Sequence, residues 1–97
     1  MTQADLLAAM MPYTNENGLQ TVEKAYKFSE TAHAGSKRQS GDDYIQHPLA
    51  VALYLVELEM DATTVAAALL HDVAEDTDFT LADIEREFGR EIAILVD

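Results

Sequence analysis

Hydrophobic residues recur along this chain at steps of three and four positions, which is the period of an α-helix that buries one face. The clearest example runs from Leu19 to His33, where positions 19, 22, 25, 26, 29 and 33 share one side of a helix. Alternation of apolar and polar residues, which would indicate a half-buried strand, is nearly absent. The pattern therefore predicts an all-α fold.

Residues that begin and end helices divide this pattern into about five to six helices. Asp61 is placed to cap one helix. Thr80 and Asp83 match a capping box at the start of another, which Gly89 ends. Residues 34–44 contain two glycines and two serines, so they form the longest loop.

One predicted helix is apolar on every side. It follows Asp61 and runs through ATTVAAALLHDVAED, in which residues 65–70 are all apolar. A helix of this kind lies at the centre of a bundle. We expect it to form the core and to carry HDVAED at its C-terminal end.

The composition is that of a small folded domain. The chain has 97 residues, 48% of them hydrophobic, and no cysteine. It contains no apolar run long enough to span a bilayer, and its first residues lack the basic segment of a secretory signal. These features predict one domain in a reducing compartment, the cytoplasm.

Acidic residues outnumber basic ones by 18 to 6, which gives a formal charge of −12. This charge repels phosphate backbones and anionic lipids, so we expect neither nucleic acids nor membranes as partners. The excess is uneven, since residues 57–97 hold 12 acids and 2 bases. Most of these acids fit a solvated surface, and the acidic half is also where a cation would bind.

The stretch HDVAEDTD places a histidine and four carboxylates at the end of the central helix. Acids there face the negative end of the helix dipole, which costs about 0.3 to 1 kcal/mol each. His71 and Glu75 are four residues apart, as are Asp72 and Asp76, so the four side chains fall on one broad face. Half-buried carboxylates this close need a counter-charge, and a divalent cation is the natural one.

Simpler explanations exist for each residue taken alone. Thr77 or Asp78 would cap the following helix, and a histidine at a helix end is more often a surface residue than a ligand. The combination favours a metal site. His47 starts one predicted helix and His71 ends the next, so antiparallel packing would bring both imidazoles to Asp72.

Two imidazoles and one carboxylate suit manganese, iron or zinc better than calcium, and an octahedral site with open positions favours Mn²⁺. Adjacent helical residues such as His71 and Asp72 diverge by about 100°. They would therefore share an ion only on the flank between them, with His47 on the open side.

Three segments together resemble a known family: HAGSKRQSGDDYIQHPLAVA, AALLHDVAEDT and FGREIAILVD. They are similar to the HD-type hydrolase domain of RelA/SpoT homologues, which make and degrade the alarmone (p)ppGpp of the stringent response. The His-Pro pair, the His-Asp doublet, Glu-Asp-Thr and Phe-Gly keep the family's order and spacing. The resemblance implies an HD-domain helical bundle.

The resemblance also implies a role for each matching position. His47, His71 and Asp72 would be metal ligands, with Mn²⁺ as the usual ion, and Glu75 and Asp76 would position and activate the attacking water. The implied reaction is hydrolysis of the 3′-pyrophosphate of (p)ppGpp, which releases pyrophosphate and GDP or GTP.

The loop before His47 matches the family in part. Arg38 would contact the guanosine nucleotide by stacking or by bidentate hydrogen bonding, and Ser40 beside it is a weaker candidate. An ordinary solvated Lys-Arg pair is the simpler interpretation of this loop. Ser36 and Gln39 depart from the residues usual in the family.

Family members continue into further helices that carry another aspartate ligand and much of the nucleotide pocket. We therefore expect residues 1–97 to be the N-terminal portion of a truncated hydrolase domain, without the rest of that domain or a synthetase domain. Asp97 does not replace the remaining ligand.

Two other functions fit the sequence. The chain would be a non-catalytic interaction module, self-associating or binding a partner through apolar surface that further helices would cover. Alternatively, it would be an HD-superfamily phosphohydrolase acting on another nucleotide. The Arg38 loop and the Glu75–Asp76 pair favour (p)ppGpp by resemblance.

Overall fold

The computed structural model describes residues 3–33, 46–77 and 79–96, and of a few of these it describes only the backbone: Gln3, Gln46, His47, Pro48, Glu75 and Asp76. The described residues form seven helices and no strand: α1 (Gln3–Met10), α2 (Glu16–Ala32), α3 (Gln46–Glu57), α4 (Ala62–Leu70), α5 (Val73–Asp76), α6 (Leu81–Phe88) and α7 (Arg90–Val96). The all-α prediction is confirmed.

Helix α2 buries the face that the sequence predicts. Val22, Ala25, Tyr26 and Ser29 are buried along it, and His33, the residue after its last turn, is 4% exposed. The helix begins at Glu16, three residues before the predicted start. The reason is a cap: the Asn15 side chain accepts a hydrogen bond of 2.8 Å from the backbone N–H of Gly18.

Helix α4 is the centre of the bundle, as its all-round apolar sequence predicts. It packs against α2, α3 and α7, and five of its nine residues are buried: Val65, Ala66, Ala67, Leu69 and Leu70. Asp61 caps its start by accepting a hydrogen bond of 2.8 Å from the backbone N–H of Thr64. The predicted cap is therefore confirmed.

The prediction of one continuous helix through Asp76 is wrong. Helix α4 ends at Leu70, residues 71–72 form a turn, and the four-residue α5 follows. At this turn the N–H of His71 bonds to the carbonyl three residues back, on Ala68, instead of four residues back. This break explains why the described residues form more helices than the predicted five to six.

A tight connection reverses the chain between α3 and α4. Glu59 has a φ of +56°, the left-handed conformation that commonly follows a helix. Two hydrogen bonds complete a Schellman motif, from Met60 N–H to the Leu55 carbonyl and from Glu59 N–H to the Val56 carbonyl. Because the connection is so short, α3 and α4 pack as antiparallel neighbours.

The last two helices follow the predicted punctuation. Thr80 and Asp83 form a reciprocal capping box at the start of α6. Gly89 ends α6 with a φ of +94°, a conformation that favours glycine, and its N–H bonds to the Glu85 carbonyl at 2.8 Å. Helix α7 then packs back onto α4 and α6. In the described part of the chain, no helix has both the length and the hydrophobicity needed to cross a bilayer.

Candidate active site

His71 sits at the end of α4 with its imidazole held by the helix itself. Its Nδ1 lies 2.6 Å from the Ala68 carbonyl oxygen. A carbonyl only accepts hydrogen bonds, so Nδ1 carries the proton and donates it. Metal-binding histidines are commonly oriented in this way, through a hydrogen bond from the other ring nitrogen to a backbone carbonyl. Nε2 is therefore the nitrogen directed away from the helix.

Asp72 meets His71 at this nitrogen. Asp72 Oδ1 lies 3.1 Å from His71 Nε2, and the two side chains are 19% and 36% exposed. Two ligands at right angles on a metal, each about 2.1 Å from it, are about 3.0 Å apart. The observed separation therefore fits two neighbouring ligands of one octahedral ion.

The two neighbours converge because the helix is interrupted. Along an intact helix, their side chains would diverge by about 100°. Here α4 has ended at Leu70, and Asp72 has a ψ of −6°, away from the helical value. The turn brings both polar atoms to the same flank, where the sequence places the ion.

The structure describes His47 by its backbone alone. His47 is the second residue of α3, which packs against α4, and the short connection between the two helices favours an antiparallel arrangement. This arrangement puts the start of α3 at the same end of the helix pair as His71. The proximity of the two imidazoles stays a prediction, because the His47 side chain lies outside the described part.

The remaining predicted residues are described less fully. Glu75 and Asp76 form the second half of α5, with their side chains outside the description. Arg38 and Ser40 lie outside the described residues. Among the side chains that the structure does describe, no group of three or more His, Asp or Glu could hold a metal ion. The predicted set of ligands is therefore represented by the His71–Asp72 pair.

Thr77 does not cap the following helix, which was one of the simpler explanations of its position in the sequence. Its hydroxyl donates a hydrogen bond of 2.6 Å to the Val73 carbonyl and accepts one of 3.2 Å from the N–H of Phe79. It therefore closes the end of α5, and Thr80 caps α6 instead. The bond from the Phe79 N–H is an ST-turn, which serine and threonine form in many loops, so the threonine permits this arrangement without specifying it.

A separate cleft of about 590 Å³ lies along α2. Neither His71 nor Asp72 is among the described residues that line it, which are Gln20, Glu23, Lys24, Lys27, Phe28, Thr31 and Phe79. Its two lysines are paired with carboxylates, Lys27 with Glu23 at 2.8 Å and Lys24 with Glu87 at 3.5 Å. Neither lysine of this cleft is therefore left without a carboxylate partner.

Comparison with known proteins places the chain in a family. The HD domain family model matches residues 25–97, more than half of the chain. A GTP pyrophosphokinase of Streptomyces coelicolor is 49% identical over 86 residues, which cover 89% of this chain and 10% of that protein. The bifunctional (p)ppGpp synthase/hydrolase SpoT of Escherichia coli is 46% identical over 85 residues, covering 88% of this chain and 12% of SpoT.

A third relative is named for hydrolysis alone. The guanosine-3′,5′-bis(diphosphate) 3′-pyrophosphohydrolase of Aquifex aeolicus is 50% identical over 76 residues, covering 78% of this chain and 11% of that protein. The chain spans about a tenth of the length of these relatives. It therefore belongs to the HD domain family, and the resemblance to RelA/SpoT homologues carried by its motifs is confirmed.

Proposed function

We propose that this chain carries the metal-binding part of a (p)ppGpp hydrolase. The reaction is hydrolysis of the 3′-pyrophosphate of (p)ppGpp, which releases pyrophosphate and GDP or GTP. Membership of the HD domain family implies a divalent metal, and Mn²⁺ is the ion that we propose. Relatives named as hydrolases of guanosine-3′,5′-bis(diphosphate) support the choice of substrate.

One observation carries the proposal: His71 Nε2 and Asp72 Oδ1 lie 3.1 Å apart, while Nδ1 is engaged by the Ala68 carbonyl. The pair combines a nitrogen and an oxygen donor, both half-buried, at the C-terminal end of α4. Since the C-terminal end of a helix carries partial negative charge, this end of α4 stabilises a cation. Donor type, spacing and helix dipole all fit a divalent transition metal.

In this proposal each of the predicted site residues has its own role. His71, Asp72 and His47 hold the ion, which when bound lowers the pKa of water and shields phosphate charge. Glu75 and Asp76 orient the attacking water and accept its proton. Arg38 holds the guanosine nucleotide, with Ser40 beside it. The acids here would repel an anionic substrate unless the ion offsets their charge.

The non-catalytic module stays a second candidate because of one surface. Ile94 and Leu95 on α7 are 62% and 52% exposed, although α7 is otherwise packed into the core through Ile92 and Ala93. Apolar side chains exposed side by side are typical of surfaces that another helix covers. Self-association through α7 is therefore compatible with the hydrolase proposal and does not replace it.

The experiment that tests the proposal measures pyrophosphate and GDP released from ppGpp, in a Mn²⁺ titration, by the parent protein that carries these residues. Asp72→Ala should lower the rate by about 10³-fold or more, because charge stabilisation by a metal contributes several kcal/mol. Glu57→Ala is the matched control, since Glu57 is an exposed acid at the other end of the α3–α4 pair.

Undiminished turnover by Asp72→Ala would remove the proposed site. A wild-type parent protein that binds Mn²⁺ yet leaves ppGpp intact at every metal concentration would contradict the proposed hydrolase activity. Release of phosphate from other nucleotides but not from ppGpp would favour the broader HD-superfamily alternative.

A further inference from the structure

Helix α5 is too short to be stable by its own hydrogen bonds. It has four residues, Val73–Asp76, which is a single turn. Forming one turn fixes several backbone dihedrals for one hydrogen bond, so an isolated turn is unfavourable. Contacts outside the helix must therefore hold the segment that carries Glu75 and Asp76.

The side chain of Thr77 supplies one such contact. Both the backbone N–H and the hydroxyl of Thr77 donate to the Val73 carbonyl, at 3.1 and 2.6 Å. Thr77 itself is extended, with φ −133° and ψ 177°, so the chain leaves the helix directly after Asp76. The hydroxyl thus stabilises the last turn and fixes where it stops.

The same hydroxyl connects α5 to a distant helix. It accepts a hydrogen bond of 3.2 Å from the N–H of Phe79. The Phe79 ring packs on Phe28 of α2, with centroids 4.8 Å apart, and Phe28 in turn meets Phe88 of α6 edge-to-face at 5.5 Å. Pairs of aromatic rings at these separations are attractive. The end of α5 is therefore joined to α2 through Thr77 and Phe79.

We infer that Thr77 is a positioning residue for the Glu75–Asp76 segment, an inference that rests on the proposed function. At its start, α5 is joined to the His71–Asp72 turn and anchored by Val73, which is fully buried. At its end, the Thr77 hydroxyl holds it. Glu75 and Asp76 lie between these two fixed points, so their distance from the metal ligands depends on both.

The hydroxyl of Thr77, and not the size of its side chain, holds the end of α5 in place. Valine has nearly the same shape as threonine but neither donates nor accepts a hydrogen bond. Thr77→Val would leave the Val73 carbonyl with one hydrogen bond and the N–H of Phe79 without its acceptor. Thr77→Ser keeps the oxygen and loses a methyl group, so the two variants separate hydrogen bonding from packing.

The test compares wild type, Thr77→Val and Thr77→Ser by two readouts, amide exchange in the 97-residue chain and turnover in the parent protein that carries these residues. Amide hydrogen exchange, read by NMR, should be about tenfold faster at Phe79 in Thr77→Val and within about threefold of wild type in Thr77→Ser. With ppGpp and Mn²⁺, Thr77→Val should lower kcat about tenfold, because catalytic groups displaced by a fraction of an ångström lose rate. KM and Mn²⁺ affinity should stay within about twofold, and Thr77→Ser should restore kcat.

Three results would overturn the inference. These are unchanged exchange at Phe79 in Thr77→Val, faster exchange with unchanged kcat, and an equal loss of kcat in Thr77→Ser. If the wild-type parent protein does not hydrolyse ppGpp, the proposed function fails separately. The exchange rates, with the chemical shifts of the Glu75 and Asp76 amides, then decide whether the hydroxyl positions this segment.

Discussion

The two ends of α4 satisfy their polar groups in opposite ways. At its start, Asp61 caps the helix and the chain packs so tightly that Gly18 of α2 lies against Ala62. At its end, His71 and Asp72 form a half-buried polar pair, and the Asp72 side chain caps no N–H of α5. At the start of α4, the Asp61 carboxylate accepts a hydrogen bond from the backbone. At the end of α4, His71 Nε2 and Asp72 Oδ1 face each other.

The helix dipole makes this difference informative. A carboxylate at the start of a helix faces the positive end of the dipole and stabilises the fold, as Asp61 does. A carboxylate at the end of a helix faces the negative end and destabilises the fold unless a cation is nearby. Asp72 therefore lies at a helix end where a bound cation would be favoured.

The largest expected effect is the loss of metal binding at the C-terminal end of α4. His71→Gln removes the imidazole that fits a metal, so Mn²⁺ affinity should fall about 100-fold or more, the upper range for losing even an indirect contact to a bound metal. Isothermal titration calorimetry measures the Mn²⁺ affinity of each variant. Glu57→Gln is the control, because it introduces the same residue at an exposed position away from the site. Equal affinity in His71→Gln and wild type would place the ion elsewhere.

A smaller effect is expected from disturbing the packing of α2 against the start of α4. A Cβ on Gly18 would lie 2.9 Å from Thr14 Cγ2 and 3.0 Å from Ala62 Cβ. Gly18→Val should therefore lower the free energy of unfolding by about 2 kcal/mol, because the two helices must move apart. Urea denaturation measures the loss. Asn17→Val, at the exposed neighbouring position, should change the free energy of unfolding by less than about 0.5 kcal/mol, because valine and asparagine have similar helix propensities. Similar losses in both variants would mean that Gly18 and Ala62 are not in close contact.

The smallest effect concerns the cap and its pH dependence. Asp61→Ala should cost about 1 kcal/mol, the usual contribution of an N-cap. Hydrogen bonds from the side chain and backbone of Thr64 hold the pKa of Asp61 below its ordinary value. A lowered pKa in the folded state means that the stabilisation is present above the unfolded pKa of about 3.9 and is lost as pH falls through the folded value.

The measurement for Asp61 is thermal unfolding of wild type, Asp61→Ala and Asp61→Asn between pH 7 and pH 2. Asparagine caps a helix about as well as aspartate but carries no charge. The difference between wild type and Asp61→Ala should shrink below about pH 3.9. The difference between Asp61→Asn and Asp61→Ala should stay constant, and a decline in both would assign the pH dependence to another group.

Local signals predicted most helix boundaries correctly. The Asp61 cap, the Thr80–Asp83 capping box and Gly89 all lie where the sequence places them, because each depends on residues within one turn of the helix end. Helix α2 starts three residues before the predicted Leu19 because Asn15 caps it. Signals of this kind act over three or four residues, which is why they can be read without knowing the fold.

The candidate site was predicted less completely, since its geometry depends on where α4 stops. The doublet His71–Asp72 marks the site in the sequence, but its spacing alone implies side chains that diverge. The structure has a turn at these residues and a distance of 3.1 Å between Nε2 and Oδ1. The roles of His47, Glu75 and Asp76 stay predictions, because the structure describes these residues by their backbone alone.

The sequence by itself determined the helical fold, the central position of α4 and the placement of the His71–Asp72 doublet at its end, because periodicity, caps and motif spacing are local properties. Only the tertiary structure decided that Gly18 meets Ala62 and that Phe79, two residues after Thr77, packs on Phe28. Those contacts join residues about 44 to 51 positions apart in the chain, and their formation depends on how whole helices pack around one core.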